Sequence, residues 1–171
     1  MHQLERNDMM KVEQTGISAS QLGEFSEGGI RYMLIRPDVL MGLARELVGI
    51  GPGVFLNALE RSAFVNGMRS FERYRDQERF EGSDALTSTC NIAASLGWGE
   101  WAVQEQPDGT RLINVRNSPF AAGFGASTIP VCAPIVGILK ALTMVFPGLA
   151  SQVEETACCS QGADVCRFHL R

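Results

Sequence analysis

The chain has 171 residues, 45% apolar and 20% charged, with a formal net charge of −4. That length suits one domain with a core large enough to need no staples, and the composition excludes wholesale disorder. The acidic balance gives no electrostatic basis for nucleic-acid binding, and no run reaches the ~18 apolar residues of a membrane span.

The first eleven residues are polar and charged, without the apolar centre of a signal peptide, so a cytoplasmic location is expected. Five cysteines, an odd number, argue against a secreted disulfide framework and for reduced thiols or metal ligands. Residues 1–27 are polar, with Gly16, Ser18, Ser20, Gly23 and Ser26 scattered through them. They are expected as a flexible arm or partner-exchange segment, and residues 28–171 as the single domain. Ile30 to Ile35 is a strand candidate, β-branched and aromatic. Pro37-Asp38 then opens a helix, Pro being suited to the first turn. Val39, Leu40, Leu43, Leu47 and Val48 recur at helical spacing until Gly49, Gly51, Pro52 and Gly53 stop it.

A longer helix is predicted from Val54 to Arg75, its apolar face formed by Leu56, Leu59, Ala63, Phe64, Met68 and Phe71. The charged run from Arg69 to Arg79 is its wet side. Gly67, mid-helix, is locally unfavourable by ~1 kcal/mol against Ala, which points to a close helix approach or to room for a ligand. Ser83 is a candidate cap for a third helix through Leu86, Ile92 and Leu96, ending at Gly97. From Trp98 to Glu105 the period changes to two. Pro107-Asp108-Gly109 is a turn, and Leu112, Ile113 and Val115 continue as the return strand. The stretch from Asn117 to Gly125 reads as a loop or crossover. Pro130 begins a buried helix through Val131, Ile135, Ile138, Leu139, Leu142 and Phe146, ended by Pro147-Gly148. A second hairpin closes the chain: Gln152 to Cys159, a turn at Gln161-Gly162, then Val165 to Leu170. This order predicts an α+β fold, an antiparallel sheet of four to five strands with helices on one face.

Chemistry concentrates at the C-terminus. Cys132, Cys158, Cys159 and Cys166 lie in the last forty residues, with Glu154 and Glu155 beside them. Soft thiolates with a carboxylate suit a metal, zinc above others. Cys158 and Cys166 stand symmetrically about Gly162, so a tight hairpin faces them across the turn. Buried packing thiols, or a Cys158–Cys166 disulfide, are the plainer readings. In a regular strand Glu154 shares a face with Cys158 and Glu155 does not. Cys90 and Cys159 read as packing residues. Phe64, Met68, Phe71, Trp98, Trp101, Phe120 and Phe124 are candidate lining for an apolar ligand cavity, against the alternative of a packed core. Trp98 and Trp101 have opposite parity on one strand, so one of them at most faces the cavity. Tyr32, Tyr74, Asn117 and Ser118 are candidate polar anchors. His169 reads as a strand residue and not as a catalytic base. No dinucleotide, haem, iron–sulfur or phosphate-cradling motif is present.

Asn117-Ser118-Pro119-Phe120-Ala121, then Pro130-Val131-Cys132, Glu155-Thr156-Ala157-Cys158 and Gly162 followed by Cys166-Arg167-Phe168, resemble the 4-vinyl reductase (hydrocarbon-binding) domain family. The match is motif-level from Gly97 to Phe168 and pattern-level from Ile30 to Gly97. The resemblance implies an α/β sandwich related to the transport-particle subunits of vesicle tethering and to haem-based nitric-oxide sensors, and it implies dimerisation. Some members are aromatic-effector sensor domains, and one branch is tied to bacteriochlorophyll synthesis. The sensors' zinc spacing, Cys-x22-Glu-x2-Cys-x7-Cys, selects Cys132, Glu155, Cys158 and Cys166 here. Glu155 then requires a bulge, or a strand that ends near Thr156, with Glu154 as the other candidate carboxylate. Such a site is closed, hence structural and not hydrolytic. Those sensors also place a Trp two residues before the Asn-Ser pair and hold a phenol hydroxyl with a His. Val115 stands at the first position here, and the histidines are His2 and His169. The expected function is a zinc-stabilised, dimeric binding domain for an apolar or aromatic small molecule, a sensor or carrier and not a catalyst. The alternatives are an accessory protein or reductase for tetrapyrrole vinyl groups, and a protein–protein assembly module.

Overall fold

The computed structural model describes residues 18–21, 24–27, 30–47, 49–77, 80, 85–150 and 152–171. The chain divides into two compact units, Met1–Ile35 and Arg36–Arg171. In the first, β1 (Ser18–Gln21), β2 (Glu24–Glu27) and β3 (Ile30–Tyr32) form an antiparallel sheet in that order. Two of these strands lie in the stretch expected as an arm; residues 1–17 of it lie outside the described residues. β3 ends at Tyr32, short of the expected Ile35.

The second unit contains helices α1 (Pro37–Glu46), α2 (Pro52–Asp76), α3 (Ala85–Ser95), α4 (Pro119–Phe124) and α5 (Ala133–Val145). Its strands are β4 (Glu100–Glu105), β5 (Arg111–Arg116), β6 (Val153–Ala157) and β7 (Cys166–Leu170). A proline occupies the first turn of α1, α2, α4 and α5, where its missing N–H would have had no partner. The expected cap of α3, Ser83, lies outside the described residues, as does Val48. The end of α3 has a clear cause: Gly97 takes a φ of 78°, and Trp98 N–H donates to the Ala93 carbonyl at 2.9 Å, closing the last turn.

Three expected boundaries shift, each for a local reason. Trp98 lies outside the strand, because Gly99 turns at a φ of 100° and β4 starts at Glu100. The expected loop after Asn117 contains a helical turn and a half, α4, capped by the Ser118 hydroxyl, which accepts from Ala121 N–H at 3.4 Å. The last helix starts at Ala133, not Pro130, since the backbone of Val131 and Cys132 is engaged elsewhere.

The four strands form one antiparallel sheet, ordered β4-β5-β7-β6. The register aligns Trp101, Val115 and Cys166 in one row, and Val103, Ile113, Phe168 and Glu155 in the next. Arg111, Leu170 and Val153 form the row beyond. On this face Trp101, Ile113, Val115, Phe168, Leu170 and Val153 are buried. The opposite face presents Ala102, Asn114 and Arg167, whose Nε donates to Asn114 Oδ1 at 3.0 Å, with Glu154 and His169 alongside. Alternation of that kind means that one face is covered and the other is wet. Among the described residues no helix is long and apolar enough to cross a membrane.

α5 is apolar nearly all round and packs along α2. The two helices meet through glycines. A Cβ on Gly137 would stand 2.3 Å from the Glu60 carbonyl oxygen, and one on Gly67 would stand 2.9 Å from Ile138 Cδ1. Gly67 therefore marks a close helix approach, one of the two explanations its sequence position allows. Gly137→Ala is expected to destabilise the protein by about 1–3 kcal/mol, read as a lower denaturant midpoint, because α2 backbone blocks the new methyl. Gly53→Ala, in a first turn with no atom within 4 Å, is expected to leave the midpoint equal or raised.

Candidate metal centre and its surroundings

Cys132, Glu155, Cys158 and Cys166 converge: one candidate ligand atom from each lies within 4.8 Å of all the others. They arrive from three directions. Cys132 is the N-cap of α5, Cys166 begins β7, and Cys158 comes just after β6 at the mouth of a short 3-10 turn (Cys159–Gln161). That turn is closed by Gln161 N–H to the Cys158 carbonyl at 2.9 Å and by Gly162 in the left-handed region at φ 93°. Only glycine takes that conformation without steric cost.

The carboxylate depends on an irregularity. β6 and β7 pair Glu155 with Phe168 and then Ala157 with Arg167, so Thr156 is an extra residue. This bulge reverses the side-chain parity beyond Thr156 and turns Glu155 and Cys158 to the same side of the sheet. Glu154 stays on the wet face, where its Oε2 accepts from Arg171 Nη2 at 3.4 Å. It is no part of the cluster.

The three thiols are fully buried and linked by their own contacts. Cys132 Sγ lies 3.5 Å from Cys166 Sγ and 3.2 Å from the Ser118 hydroxyl, and Cys166 Sγ accepts from Cys159 N–H at 3.3 Å. Glu155 Oε2 accepts from Cys132 N–H at 2.9 Å, whereas its Oε1 is buried without a partner among the described residues. Buried polar atoms are nearly always satisfied, so the orphaned oxygen indicates a missing electrophile.

The proton balance agrees. The Cys158 thiol is held far below its ordinary value, first by the donor thiols of Cys132 and Cys166, against the opposing effect of burial. Its neighbours move the other way. Cys132 is pushed up by its bonds to Cys158 and Cys166 and then by burial. Glu155 is pushed up to about 8, first by burial and then by Cys158. For Cys166 the Cys132 thiol pulls down most strongly, but Cys158 and burial together raise it to about 12. Without a cation, the pocket thus carries one negative charge and keeps three protons. A divalent cation in their place allows more of the four groups to ionise, and the residues present fit one. Cys90, alone in α3, is raised to about 11 by burial and has no such neighbours. Cys159 contributes its N–H to the cluster while its thiol is half-buried.

The expected cavity residues distribute unevenly. Trp98 packs edge-on against Phe120, with centroids 5.0 Å apart, and Trp101 Nε1 donates to the Trp98 carbonyl at 3.1 Å. Phe71 instead meets Phe80, at 6.1 Å, in a ring cluster with Tyr74 and Phe146. Phe64 lines an open groove of about 680 Å³ with Met144 and Val153, while Met68 and Phe124 are half-buried. The sequence gives no sign of Phe80 and Phe146 as members of that ring cluster. Phe80 comes directly after a charged run, and the apolar periodicity marks Phe146 only as a helix end. Ser118, expected as a ligand anchor, caps α4 and touches Cys132 instead. His169, on the wet face, bonds Thr110 at 3.0 Å and Arg171 at 3.1 Å.

Comparison with solved structures shows the fold. The phenol-responsive sensory domain of the transcription activator PoxR, solved with phenol, superimposes with a TM-score of 0.74 at 20% identity, over 98% of this chain and 89% of that one. An H-NOX protein from S. oneidensis gives 0.53 at 12% identity, over 99% and 91%. Trafficking protein particle complex subunit 3 from Naegleria fowleri, covalently bound to palmitic acid, gives 0.51 at 16%, over 79% and 93%. No curated protein matches the chain in sequence. The family model of the 4-vinyl reductase domain matches residues 112–171. That stretch holds all four residues of the cluster, and over it the chain is a 4-vinyl reductase family sequence, as its motifs imply.

Proposed function

We propose that this protein is a zinc-clamped binding domain for an apolar or aromatic small molecule, acting as a sensor or carrier. The observation that carries the metal part is the cluster itself: three buried thiols and an orphaned carboxylate oxygen with mutually compatible spacing. Bound zinc would have its four tetrahedral positions filled by protein and so would serve as a structural tie without activating water. Cys132 would anchor the head of α5, and Cys158 and Cys166 the two arms of the closing hairpin. Five unpaired cysteines suit a reducing, cytoplasmic setting.

The sensor reading is supported by the likeness in fold to the phenol-responsive PoxR domain. Phenol itself is not our proposal. Val115 is a buried sheet residue without a polar atom in its side chain, and His169 is engaged on the wet face. A ligand recognised by shape among Phe64, Met68, Phe71, Trp98, Trp101, Phe120 and Phe124 fits the residues better. Binding would bias a pre-existing equilibrium of the helices, a population shift and not chemistry.

Self-association belongs to the same proposal. Val39 and Leu43 on α1, with Leu47 at its end, form one exposed stripe, 55%, 48% and 36% accessible, while Met41 and Ala44 face inward. A second copy covering that stripe would remove apolar surface from water.

Metal analysis of chelator-washed, untagged protein is expected to find one zinc per chain, retained in Glu154→Gln and Cys159→Ser and lost or weakened in Glu155→Gln and Cys158→Ser. Absence of zinc, together with an unchanged melting temperature in Cys158→Ser, would sink the clamp. Native mass spectrometry of protein purified without additives is expected to show a retained apolar ligand; a porphyrin there would favour the tetrapyrrole reading. Sedimentation is expected to give a dimer that Leu43→Glu converts to monomer, and a wild-type monomer at all concentrations would refute the self-association.

A further inference from the structure

We propose that the outer edge of β6 is a docking site for an extended segment of another protein that alternates apolar with basic side chains. The sheet ends at β6. Gln152 and Arg171 exchange both backbone hydrogen bonds, at 2.9 and 3.0 Å. In an antiparallel pair the bonded positions alternate, so the N–H and C=O of Val153 and Glu155 point away from β7. Among the described residues nothing accepts or donates to them. They are a short template for strand addition.

The surroundings of that edge select the incoming side chains. Two open grooves run along it on the helix side, of about 370 and 680 Å³, and both are lined by Val153 and Lys140. Leu56, Val136 and Ile129 make the first apolar; Phe64 and Met144 do so for the second. The one ammonium shared by both, Lys140, is already paired with Glu60. Every second residue of an added strand would therefore drop an apolar side chain into a groove. The intervening residues would emerge on the wet face beside Glu154, whose side chain is 65% exposed. Arg171 reaches Glu154 from the β7 side at 3.4 Å and leaves the edge side of the carboxylate open, so a lysine or arginine fits there.

A second copy of this chain fits badly. Antiparallel pairing centred on Glu154 or on Glu155 sets a glutamate against its own counterpart, which is unfavourable across strands. The usual guards of an exposed edge, an inward lysine or a proline, are missing from Val153–Ala157.

The test uses the full chain and a fluorescein-labelled heptapeptide alternating lysine with valine. Saturable anisotropy is expected, with backbone amide shifts centred on Val153 and Glu155, and no binding of the counterpart alternating glutamate with valine. Glu154→Lys is expected to weaken the lysine peptide by about tenfold, since it exchanges attraction for repulsion. Val153→Pro is expected to abolish binding; if that variant melts early, Glu154→Lys with a wild-type melting temperature carries the test. Equal binding of the two peptides, shifts centred away from β6, or a dimer that Val153→Pro dissolves would overturn the proposal. Loss of metal in Cys158→Ser leaves these outcomes separate from the clamp, because neither edge variant alters a cluster residue.

Discussion

Four acidic groups in one dry pocket cannot all be ionised, and the C-terminal part of the molecule is arranged around that constraint. Cys158 takes the charge, and Cys132, Cys166 and Glu155 keep their protons at its expense. Every local irregularity serves the convergence. Thr156 bulges so that Glu155 turns inward, Gly162 accepts a left-handed turn so that Cys166 returns, and α5 starts late so that Cys132 sits at its head. The helix N-terminus adds a partial positive charge at the same place, the favourable sense for an anionic cluster.

Much of this was legible in the chain. Period-two alternation and Pro107-Asp108-Gly109 specify the first hairpin, and the symmetry of the thiols about Gly162 specifies the second. The all-round apolar pattern of Ile135, Leu139 and Leu142 identifies the buried helix. The bulge was legible only indirectly: strand parity favours Glu154, and it took the spacing of a family motif to require Glu155. Backbone pairing at Thr156 resolves that conflict.

The illegible parts have a common physical source. Phe80 carries no periodic signal, since its partners Phe71, Tyr74 and Phe146 come from two different helices and their ends. Ser118 and Pro119 together are a cap-and-first-turn signal, but so short a helix cannot be told from a turn by pattern alone. Pro130 and Pro134 both suit a helix start. The choice falls on Pro134 because Cys132 N–H is already bonded to Glu155, an interaction 23 positions away. The pairing of β1 with β2 lies in a polar stretch with no apolar rhythm to reveal it.

The head of α5 lies in the thiol cluster, and Phe146, its C-cap, stacks among the aromatic rings. Thirteen residues of α-helix make a rod of about 20 Å. Gly137 and Gly67 press that rod against α2 with no side chain long enough to act as a cushion. Such a contact resists bending but can slide lengthwise. The helix is therefore a piston between two chambers: tightening at the cysteines or spreading of the rings displaces the opposite end by the same amount.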